Sequence, residues 1–277
     1  MSANVDKNVV AGFGDEWSRF DQSELDTAEL QELFENYFSI FPWDKLPPHP
    51  VGFDLGCGSG RWARLVAPRV GKLYLFDPSP DALAVAKRSL AAHGNCEFEI
   101  ADAGNIPLPE NSCDFGYSLG VLHHIPDTQA GLRECVSKLK PGAPFLLYLY
   151  YSFDNRPAWF RVIWLASDLG RQTISRMPHK LRYLLSQLIA ISVYLPLART
   201  SLLMEKAGIN VDQIPLSQYR QTSLYTMRTD ALDRFGTRLE KRFSKVEIEE
   251  MMSATGLRDI TFSTRSFWTA VGYKVNL

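Results

Sequence analysis

The sequence is poor in cysteine, and its few cysteines lie far apart. Cys57, Cys96, Cys113 and Cys135 form no C-x-x-C pair. Wide spacing of this kind argues against a structural zinc site and against a framework of disulfides. We therefore expect reduced thiols, as in a cytoplasmic protein, and no metal site.

The sequence also lacks an excess of positive charge. Lysine and arginine number 30 against 31 aspartates and glutamates, so the formal net charge is -1. Proteins that bind the phosphate backbone of nucleic acids usually carry a basic excess. The charge balance therefore favours a partner other than nucleic acid.

No long hydrophobic run is present either. Residues 1–17 have neither the basic start nor the apolar stretch of a signal peptide. The most apolar later segment, residues 184–198, is about 15 residues long and contains Gln187 and Pro196, whereas a transmembrane helix needs roughly 20 apolar residues. We expect a buried helix here and no stable membrane insertion. A lipid-facing helix or a homodimer surface is the alternative.

What the sequence does have is an alternation of strands and helices from residue 51 onward, which indicates a parallel sheet with helices on both faces. Ser79 and Pro80 open one helix, which Gly94 closes, and Ser244 with Glu247 forms the capping box of a later one. The predicted strands cover residues 51–55, 72–76, 97–100, 114–121, 143–151, 258–263 and 267–275.

Four regions follow from this pattern. An N-terminal helical arm covers residues 1–48, with an amphipathic helix at 23–38. Residues 49–154 form the core that binds the ligand. Residues 155–240 predict several helices and are too long for an ordinary crossover, so we expect an inserted helical cap. Residues 241–277 return to the core and supply its last two strands.

A glycine-rich turn follows the first strand. It reads Asp54-x-Gly56-Cys57-Gly58-x-Gly60. Glycines at the carboxyl end of a strand let a ligand approach the backbone at the switch point of an open sheet. The spacing differs from the G-x-G-x-x-G of dinucleotide-binding proteins, and a carboxylate at the strand end suits a ligand with a positive amino group. A tight turn without a ligand has the same pattern.

Two further acidic residues end the next two strands. Asp77, followed by Pro78, can accept hydrogen bonds from both hydroxyls of a ribose, which indicates a nucleoside without saying which one. Asp102 can accept from an adenine amino group, while the Ala103 N–H can donate to a ring nitrogen. Three acids at three successive strand ends predict one continuous binding edge.

Four segments carry a resemblance to a known family: FDLGCGSGRW (53–62), LFDPSP (75–80), ADAGNIPLPENSCDFGYSLGVLHHIPD (101–127) and LKPGAPFLLYLY (139–150). They resemble the class I S-adenosylmethionine (SAM)-dependent methyltransferases, in particular the group of ubiquinone- and menaquinone-type enzymes. The resemblance implies a doubly wound, Rossmann-like α/β fold. It also implies a seven-stranded sheet whose last strand is antiparallel, and the N-terminal arm and the helical insert after strand 5, predicted above, are added to this core. SAM is the implied cofactor and S-adenosylhomocysteine the product.

The resemblance also implies a role for each residue of the SAM site: Asp54 and Gly56 at the amino-acid part, Asp77 at the ribose, Asp102 and Ala103 at the adenine, and Leu119 beside the methionine. The segment 13–20, with Trp17, is similar to the aromatic segment that covers SAM in related enzymes. Plain hydrophobic docking of the arm is the alternative. Arg61 and Trp62 are bulkier than the usual residues after the last glycine, and we expect both to point outward.

Candidate catalytic residues are few, because the methyl group of SAM is already activated and the main task is to align the acceptor. A general base helps only where the acceptor is a weak acid. His124 is the candidate base, with His123 less favoured, and shaping of the pocket is the alternative for both. Tyr150 and Tyr151 are further candidates, since strand alternation turns one of them toward the substrate.

Candidate substrate-binding residues are Arg156, Tyr219 and Arg228, the last two within the polar-aromatic segment at 217–237. Ion pairs on helix surfaces account for the same residues equally well. The predicted function is methyl transfer to O, N or C of a small-molecule metabolite. A non-catalytic SAM-binding protein is one alternative. An NAD-dependent oxidoreductase is another, which the glycine spacing and Asp102 disfavour.

Overall fold

The sequence folds around a seven-stranded sheet, as seen in a computed structural model that describes residues 4–153, 156–264 and 268–275. The strands are β1 (Val51–Leu55), β2 (Lys72–Asp77), β3 (Cys96–Ile100), β4 (Phe115–Leu119), β5 (Pro144–Tyr148), β6 (Leu257–Phe262) and β7 (Thr269–Lys274). The helices are α1 (Lys7–Arg19), α2 (Thr27–Phe38), α3 (Ala63–Val66), α4 (Pro80–Ser89), α5 (Thr128–Lys138), α6 (Ala158–Ile174), α7 (His179–Ile189), α8 (Leu195–Lys206), α9 (Leu224–Gly236) and α10 (Lys245–Ala254).

The strand order is β3-β2-β1-β4-β5-β7-β6. Strands β1 to β5 pair in parallel, while β7 runs antiparallel to both of its neighbours. The predicted doubly wound sheet with an antiparallel last strand is therefore confirmed. The chain order reverses direction between β1 and β4, and in open sheets of this kind ligands bind beyond the carboxyl ends of the strands at that point.

Local signals set most element boundaries. The Ser79 hydroxyl accepts from the Ala82 N–H at the start of α4, and Ser244 and Glu247 form the predicted capping box of α10. Helix α4 ends at Ser89, not at Gly94, because the chain turns after Leu90.

Strand β5 ends earlier than the predicted residue 151. The strand covers Pro144–Tyr148, and its residues 145–148 have ladder partners on both sides, from β4 and from β7. Phe267, at the start of the predicted last strand, lies outside the described residues.

The two faces of the sheet are covered by different helices. On one face, Phe53 and Phe145 lie 6.1 Å apart, ring centre to ring centre, in a cluster that includes buried side chains of α5 and α10. On the other, Phe38 of α2 meets the ring of Tyr117 edge-on at 5.4 Å. The N-terminal arm is thus part of the sheet's packing.

The chain divides into two compact units. The first comprises Met1–Gln22, Leu30–Ser152 and Leu239–Leu277, and the second comprises Ser23–Glu29 and Phe153–Arg238. The sheet belongs to the first unit, and α6 to α9 belong to the second, which we call the helical unit. The predicted arm, residues 1–48, does not form a compact unit of its own, because most of it packs with the sheet.

Within the helical unit, α7, a π-helical turn at Ala190–Tyr194 and α8 form one continuous helix, His179–Lys206. This is the one helix among the described residues that is long and apolar enough, by length and composition, to cross a membrane. The expectation of a buried helix here is wrong for one side. Ala190 and Ala198 are buried, whereas Leu184 and Leu188 are more than half exposed, because the neighbouring helices pack against one side of this helix.

Candidate functional site

The glycine-rich turn leaves β1 through backbone conformations that favour glycine. Gly56 and Gly60 have φ of +76° and Gly58 has φ of +53°, a region in which other side chains are strained. The N–H groups of Gly56 and Cys57 both donate to the carbonyl of Phe76, at 2.7 and 3.0 Å. These bonds fix the turn against the end of β2, beside the next acidic residue.

Asp77, at the end of β2, holds this turn with its carboxylate. Oδ2 accepts from the Gly58 N–H at 3.0 Å, and Oδ1 accepts from the Ser79 N–H at 2.8 Å. Burial raises the pKa of Asp77 to about 6, although the two backbone hydrogen bonds oppose the shift. Each carboxylate oxygen has a second lone pair, so Asp77 retains the capacity to accept a hydroxyl of a ligand.

Asp54, the last but one residue of β1, is almost fully buried. Burial raises its pKa to about 8; the Tyr117 hydroxyl nearby lowers it and the charge of Asp77 raises it further. Among the described residues, neither Asp54 Oδ2 nor the Tyr117 hydroxyl has a partner at ordinary hydrogen-bond geometry. A buried carboxyl without a cationic partner is costly, and such groups concentrate at functional sites.

Replacing Asp54 by asparagine should therefore stabilise the ligand-free protein at high pH. The folded protein keeps the Asp54 proton up to about pH 8, whereas the unfolded chain loses it near the ordinary pKa of 3.8. This group accordingly lowers the free energy of unfolding progressively as pH rises through that window. Thermal melts should show a Tm gain for Asp54→Asn that grows from pH 5 to pH 8 and reaches about 5 °C, since ~1 kcal/mol shifts Tm by about 2–4 °C.

Asp44→Asn is the matched control for this experiment. Asp44 is exposed, so removal of its charge should leave the Tm unchanged across the same pH range. A Tm gain for Asp54→Asn that is independent of pH, or a Tm loss at pH 8, would contradict the assignment of a buried carboxyl that holds its proton.

A cleft opens beyond the ends of β1, β2 and β4, with about 590 Å³ of empty space including its open mouth. Its lining residues are Val5, Asp6, Val9, Val10, Phe13, Trp17, Gly56, Asp77, Pro78, Leu119, Gly120, Val121, His124 and Ile125. They include two carboxylates and no lysine or arginine, so the cleft suits a ligand that carries positive charge.

Helix α1 forms one wall of this cleft. The Asp6 carboxylate caps the helix by accepting from the N–H groups of Asn8 and Val9. Phe13 and Trp17 are four residues apart and so face the cleft together. The Trp17 ring lies directly over the turn, since a Cβ on Gly58 would come within 2.8 Å of it.

Gly14 allows α1 to lie close to the start of α4. A Cβ at Gly14 would come within 2.7 Å of the Ser79 hydroxyl. The sequence prediction of an aromatic covering segment thus names two lining side chains, Phe13 and Trp17. It misses Val9, Val10 and Asp6, which an N-cap aspartate followed by apolar residues at helical spacing could have indicated.

The expectation that Arg61 and Trp62 both point outward is wrong for Trp62. Its side chain is buried, with its ring 4.7 Å from that of Tyr37 on α2. The Arg61 guanidinium lies over the Trp62 ring, 4.4 Å from its centre. The physical reason is that α2 covers this side of the sheet and needs an apolar surface to pack against.

His124 lines the cleft just beyond β4. Its Nδ1 lies 2.7 Å from the carbonyl oxygen of Leu239. A carbonyl can only accept, so Nδ1 carries the proton and Nε2 is the basic nitrogen of the neutral ring. The Phe13 ring lies 5.1 Å away, centre to centre. This arrangement leaves Nε2 of His124 as a proton acceptor.

The core containing this cleft has clear relatives. Residues 53–147 match the protein family described as "Methyltransferase domain". The ubiquinone/menaquinone biosynthesis C-methyltransferase of Hahella chejuensis is 35% identical over 111 residues, 38% of this chain and 44% of that protein. The malonyl-[acyl-carrier protein] O-methyltransferase of Serratia marcescens is 31% identical over 148 residues, 52% of this chain and 54% of that protein. Residues 53–147 of this chain therefore form a methyltransferase domain.

The match between this chain and its curated relatives is limited to part of each protein. The chain spans about half the length of both proteins. Among solved structures, human N-acetylserotonin methyltransferase in complex with SAM matches 95% of this chain and 57% of its own, with a TM-score of 0.53 and 19% identity. At this identity the match shows the fold. SAM is the methyl donor of the family.

Several other residues of the predicted SAM site do not line the cleft. Cys57, Gly58 and Gly60 shape the turn without being among its lining residues. Asp102 and Ala103 follow β3, where Asp102 Oδ1 accepts from the Gly104 N–H at 2.6 Å and Ala103 is buried. Neither lines the described cleft, so their role at the adenine stays a prediction.

His123 and Tyr150 form a stack next to His124. Their ring centres are 3.9 Å apart, and the Arg242 guanidinium lies 5.2 Å from the Tyr150 ring centre. Among the described residues, neither ring nitrogen of His123 has a hydrogen-bond partner. Burial, together with the nearby His124 ring and Arg242 guanidinium, holds the pKa of His123 well below its usual range. His123 is therefore a neutral packing residue.

Tyr151 is placed differently from Tyr150. Its backbone pairs with Phe243, and its ring lies 5.6 Å from that of Trp268. Neither tyrosine is among the residues that line the described cleft. Their catalytic roles therefore remain predictions, with Tyr150 the nearer of the two to His124, at 5.5 Å between ring centres.

The predicted substrate-binding residues have contacts inside the helical unit. Arg228 donates to the Gln187 side-chain oxygen at 2.6 Å and to the Tyr183 hydroxyl at 3.0 Å. Tyr219 packs against Tyr194, with ring centres 5.3 Å apart. Arg156 donates to the carbonyl of Asp212. These contacts hold the helices together, so a role in substrate binding stays a prediction for all three.

No group of three or more histidine, cysteine or acidic side chains that could hold a metal ion occurs among residues 4–153, 156–264 and 268–275. The four cysteines are free, and three of them are buried.

Proposed function

We propose that this chain transfers the methyl group of SAM to an oxygen, nitrogen or carbon atom of a small-molecule metabolite in the cytoplasm. The observation that carries the proposal is the cleft at the carboxyl ends of β1, β2 and β4, which presents carboxylates and no lysine or arginine. The free cysteines support a reducing compartment. The net charge of -1 favours a small acceptor over nucleic acid.

The residues present fit SAM. The carboxylates of Asp6 and Asp77 in the lining suit a cationic nucleoside, and the buried Asp54 has one oxygen without a hydrogen-bond partner among the described residues. The turn next to the cleft has no room for a side chain, because a Cβ on Gly56 would come within 2.4 Å of the Val121 side chain. When bound, SAM supplies a methyl group already activated by its sulfonium charge.

The chain's own residues would do three things in this reaction. Asp77 would accept hydroxyl groups of the ribose while it keeps the glycine turn in place. Phe13 and Trp17 of α1 would exclude water from one side of the cleft. His124 would take the proton of a weakly acidic acceptor at Nε2, while the Leu239 carbonyl holds Nδ1–H and so fixes the ring. Tyr150 and Tyr151 have no assigned step.

The acceptor atom is left open. The two relatives named above are a C-methyltransferase and an O-methyltransferase that match the same core. The core thus serves more than one acceptor chemistry, and the acceptor must be selected elsewhere in the chain. A homodimer likewise stays a prediction.

Calorimetric titration of the purified chain with SAM and with NAD, separately, tests the proposal. We expect SAM to bind at micromolar concentration and NAD not to bind. Incubation with methyl-labelled SAM and a panel of metabolites should then yield S-adenosylhomocysteine and one labelled product. NAD binding in the absence of SAM binding would overturn the proposal. SAM binding without turnover on any acceptor would favour a non-catalytic SAM-binding protein.

A further inference from the structure

We propose that the helical unit docks on an anionic lipid surface, through the outward sides of α6 and of the continuous helix His179–Lys206. These two outward sides together are called the apolar face below. The proposal is independent of the methyl-transfer function, since every residue that carries it belongs to the helical unit.

Helix α6 is apolar on its outward side. Val162, Leu165 and Leu169 recur at helical spacing and are 60% to 69% exposed. Its inward side holds half-buried Trp164 and buried Arg171. Aliphatic side chains with this exposure are normal when scattered singly, but here they form one stripe.

The helix His179–Lys206 likewise has an apolar, exposed outward side and a packed inward side. Leu184, Leu188 and Ile191 are 51% to 54% exposed. The opposite side carries the buried Ser186 and Ala190, and α7 and the π-helical turn both pack on α9.

Exposed apolar side chains are concentrated on these two helices. Of the sixteen large hydrophobic side chains that are exposed among the described residues, twelve lie on α6 or on His179–Lys206. Contiguous apolar patches on monomeric proteins usually mark an interaction surface with a protein or a membrane. The apolar face is therefore an interaction surface.

The charged residues around the apolar face indicate which partner binds there. Residues 156–206 contain eight arginines and lysines but only two acids, Asp168 and Glu205. Both acids are held in ion pairs, Asp168 with Arg171 at 2.6 Å and Glu205 with Arg220 at 2.7 Å.

The exposed cations of this stretch lie at or near helix ends: Arg161, Arg176, Lys180 and Lys206. An apolar surface bordered by cations is complementary to anionic lipid headgroups above acyl chains. A second copy of the chain would bring these cations together without acids between them. Lipid therefore fits the apolar face better than self-association.

In this proposal the helix His179–Lys206 lies on the lipid surface and does not cross the membrane. Its inward side carries Arg182, which donates to the Gly236 carbonyl at 2.7 Å, and Gln187, which is bonded to Arg228. A membrane-spanning position would draw these groups and the charged helix α9 into hydrocarbon, where polar groups are costly. Docking through the outward side keeps Arg182, Gln187 and α9 out of the hydrocarbon.

Vesicle flotation with the full chain tests the proposal. We expect binding to vesicles of equal parts phosphatidylcholine and phosphatidylglycerol, at least tenfold weaker binding to phosphatidylcholine alone, and weaker binding at high salt. The double variant Leu165→Gln/Leu188→Gln should lose at least tenfold in vesicle binding. Its Tm and SAM affinity should be unchanged, since both side chains are more than half exposed.

The matched control is Ile100→Gln/Val246→Gln, which removes two equally exposed aliphatic side chains, each 61% exposed, outside the apolar face. This variant should bind vesicles like the wild type. Lys180→Glu/Lys206→Glu should weaken binding to the anionic vesicles selectively. The proposal is overturned if the wild type floats with neither vesicle. It is also overturned if the chain is a dimer in solution that Leu165→Gln/Leu188→Gln dissociates.

Discussion

Replacing Asp77 by asparagine is expected to weaken SAM binding at least about a hundredfold while the chain stays folded. One oxygen of Asp77 accepts from the Gly58 N–H and the other from the Ser79 N–H. An asparagine must direct its NH2 group at one of these two donors. A hydrogen bond to a charged group is worth about 1.5–3 kcal/mol, and ~1.4 kcal/mol is a tenfold change in affinity. Displacement of the turn and loss of the charge together give the hundredfold effect.

Calorimetry with SAM at pH 8 measures this effect, because the pKa of Asp77 is raised only to about 6 and the carboxyl is then ionised. Asp81→Asn is the control. It removes the same charge from an exposed position four residues away, and should change the affinity less than about threefold. A wild-type affinity in folded Asp77→Asn would show that this carboxylate does not hold the donor.

Replacing His124 by asparagine should lower kcat by about a hundredfold for a hydroxyl acceptor, with little change in the KM for SAM. Positioned proton transfer contributes typically ~100-fold to ~10,000-fold. Asparagine can still donate to the Leu239 carbonyl in place of Nδ1–H, but it has no group equivalent to the basic Nε2. The loss should therefore fall on the chemical step and not on binding of the donor.

Steady-state kinetics with the identified acceptor, with and without added imidazole, separates a base from a packing residue. Imidazole should restore part of the rate of His124→Asn if the missing group is a base. His93→Asn, which alters a histidine remote from the cleft lining, should behave like the wild type. If His124→Asn lowers the SAM affinity and kcat equally, and imidazole restores neither, then His124 shapes the cleft and is not a base.

The sheet and the glycine turn at its carboxyl edge could be predicted because their signals are local. The glycines after β1 need positive φ angles, and the acids at the ends of β1 and β2 follow short apolar strands, so a few neighbouring residues suffice. The antiparallel last strand came from resemblance to a family and not from periodicity. Both expectations agree with the structure.

The walls of the cleft could not be predicted in the same way, since they depend on contacts between distant segments. Trp62 is buried because α2 packs on it, and nothing near Trp62 in the sequence indicates that neighbour. The bond from His124 to Leu239 joins residues on either side of the segment Phe153–Arg238. The apolar composition of residues 184–198 likewise predicts a helix. It could not show which side of this helix other helices cover.

The carboxylates of the cleft also bear on how the reaction cycle ends. Methyl transfer converts a positively charged sulfonium into a neutral thioether, while Asp6 and Asp77 keep their place in the lining. Under the proposed function, the same wall that attracts the donor therefore has less hold on the spent molecule. Product would leave and fresh donor would replace it, without any movement of the sheet.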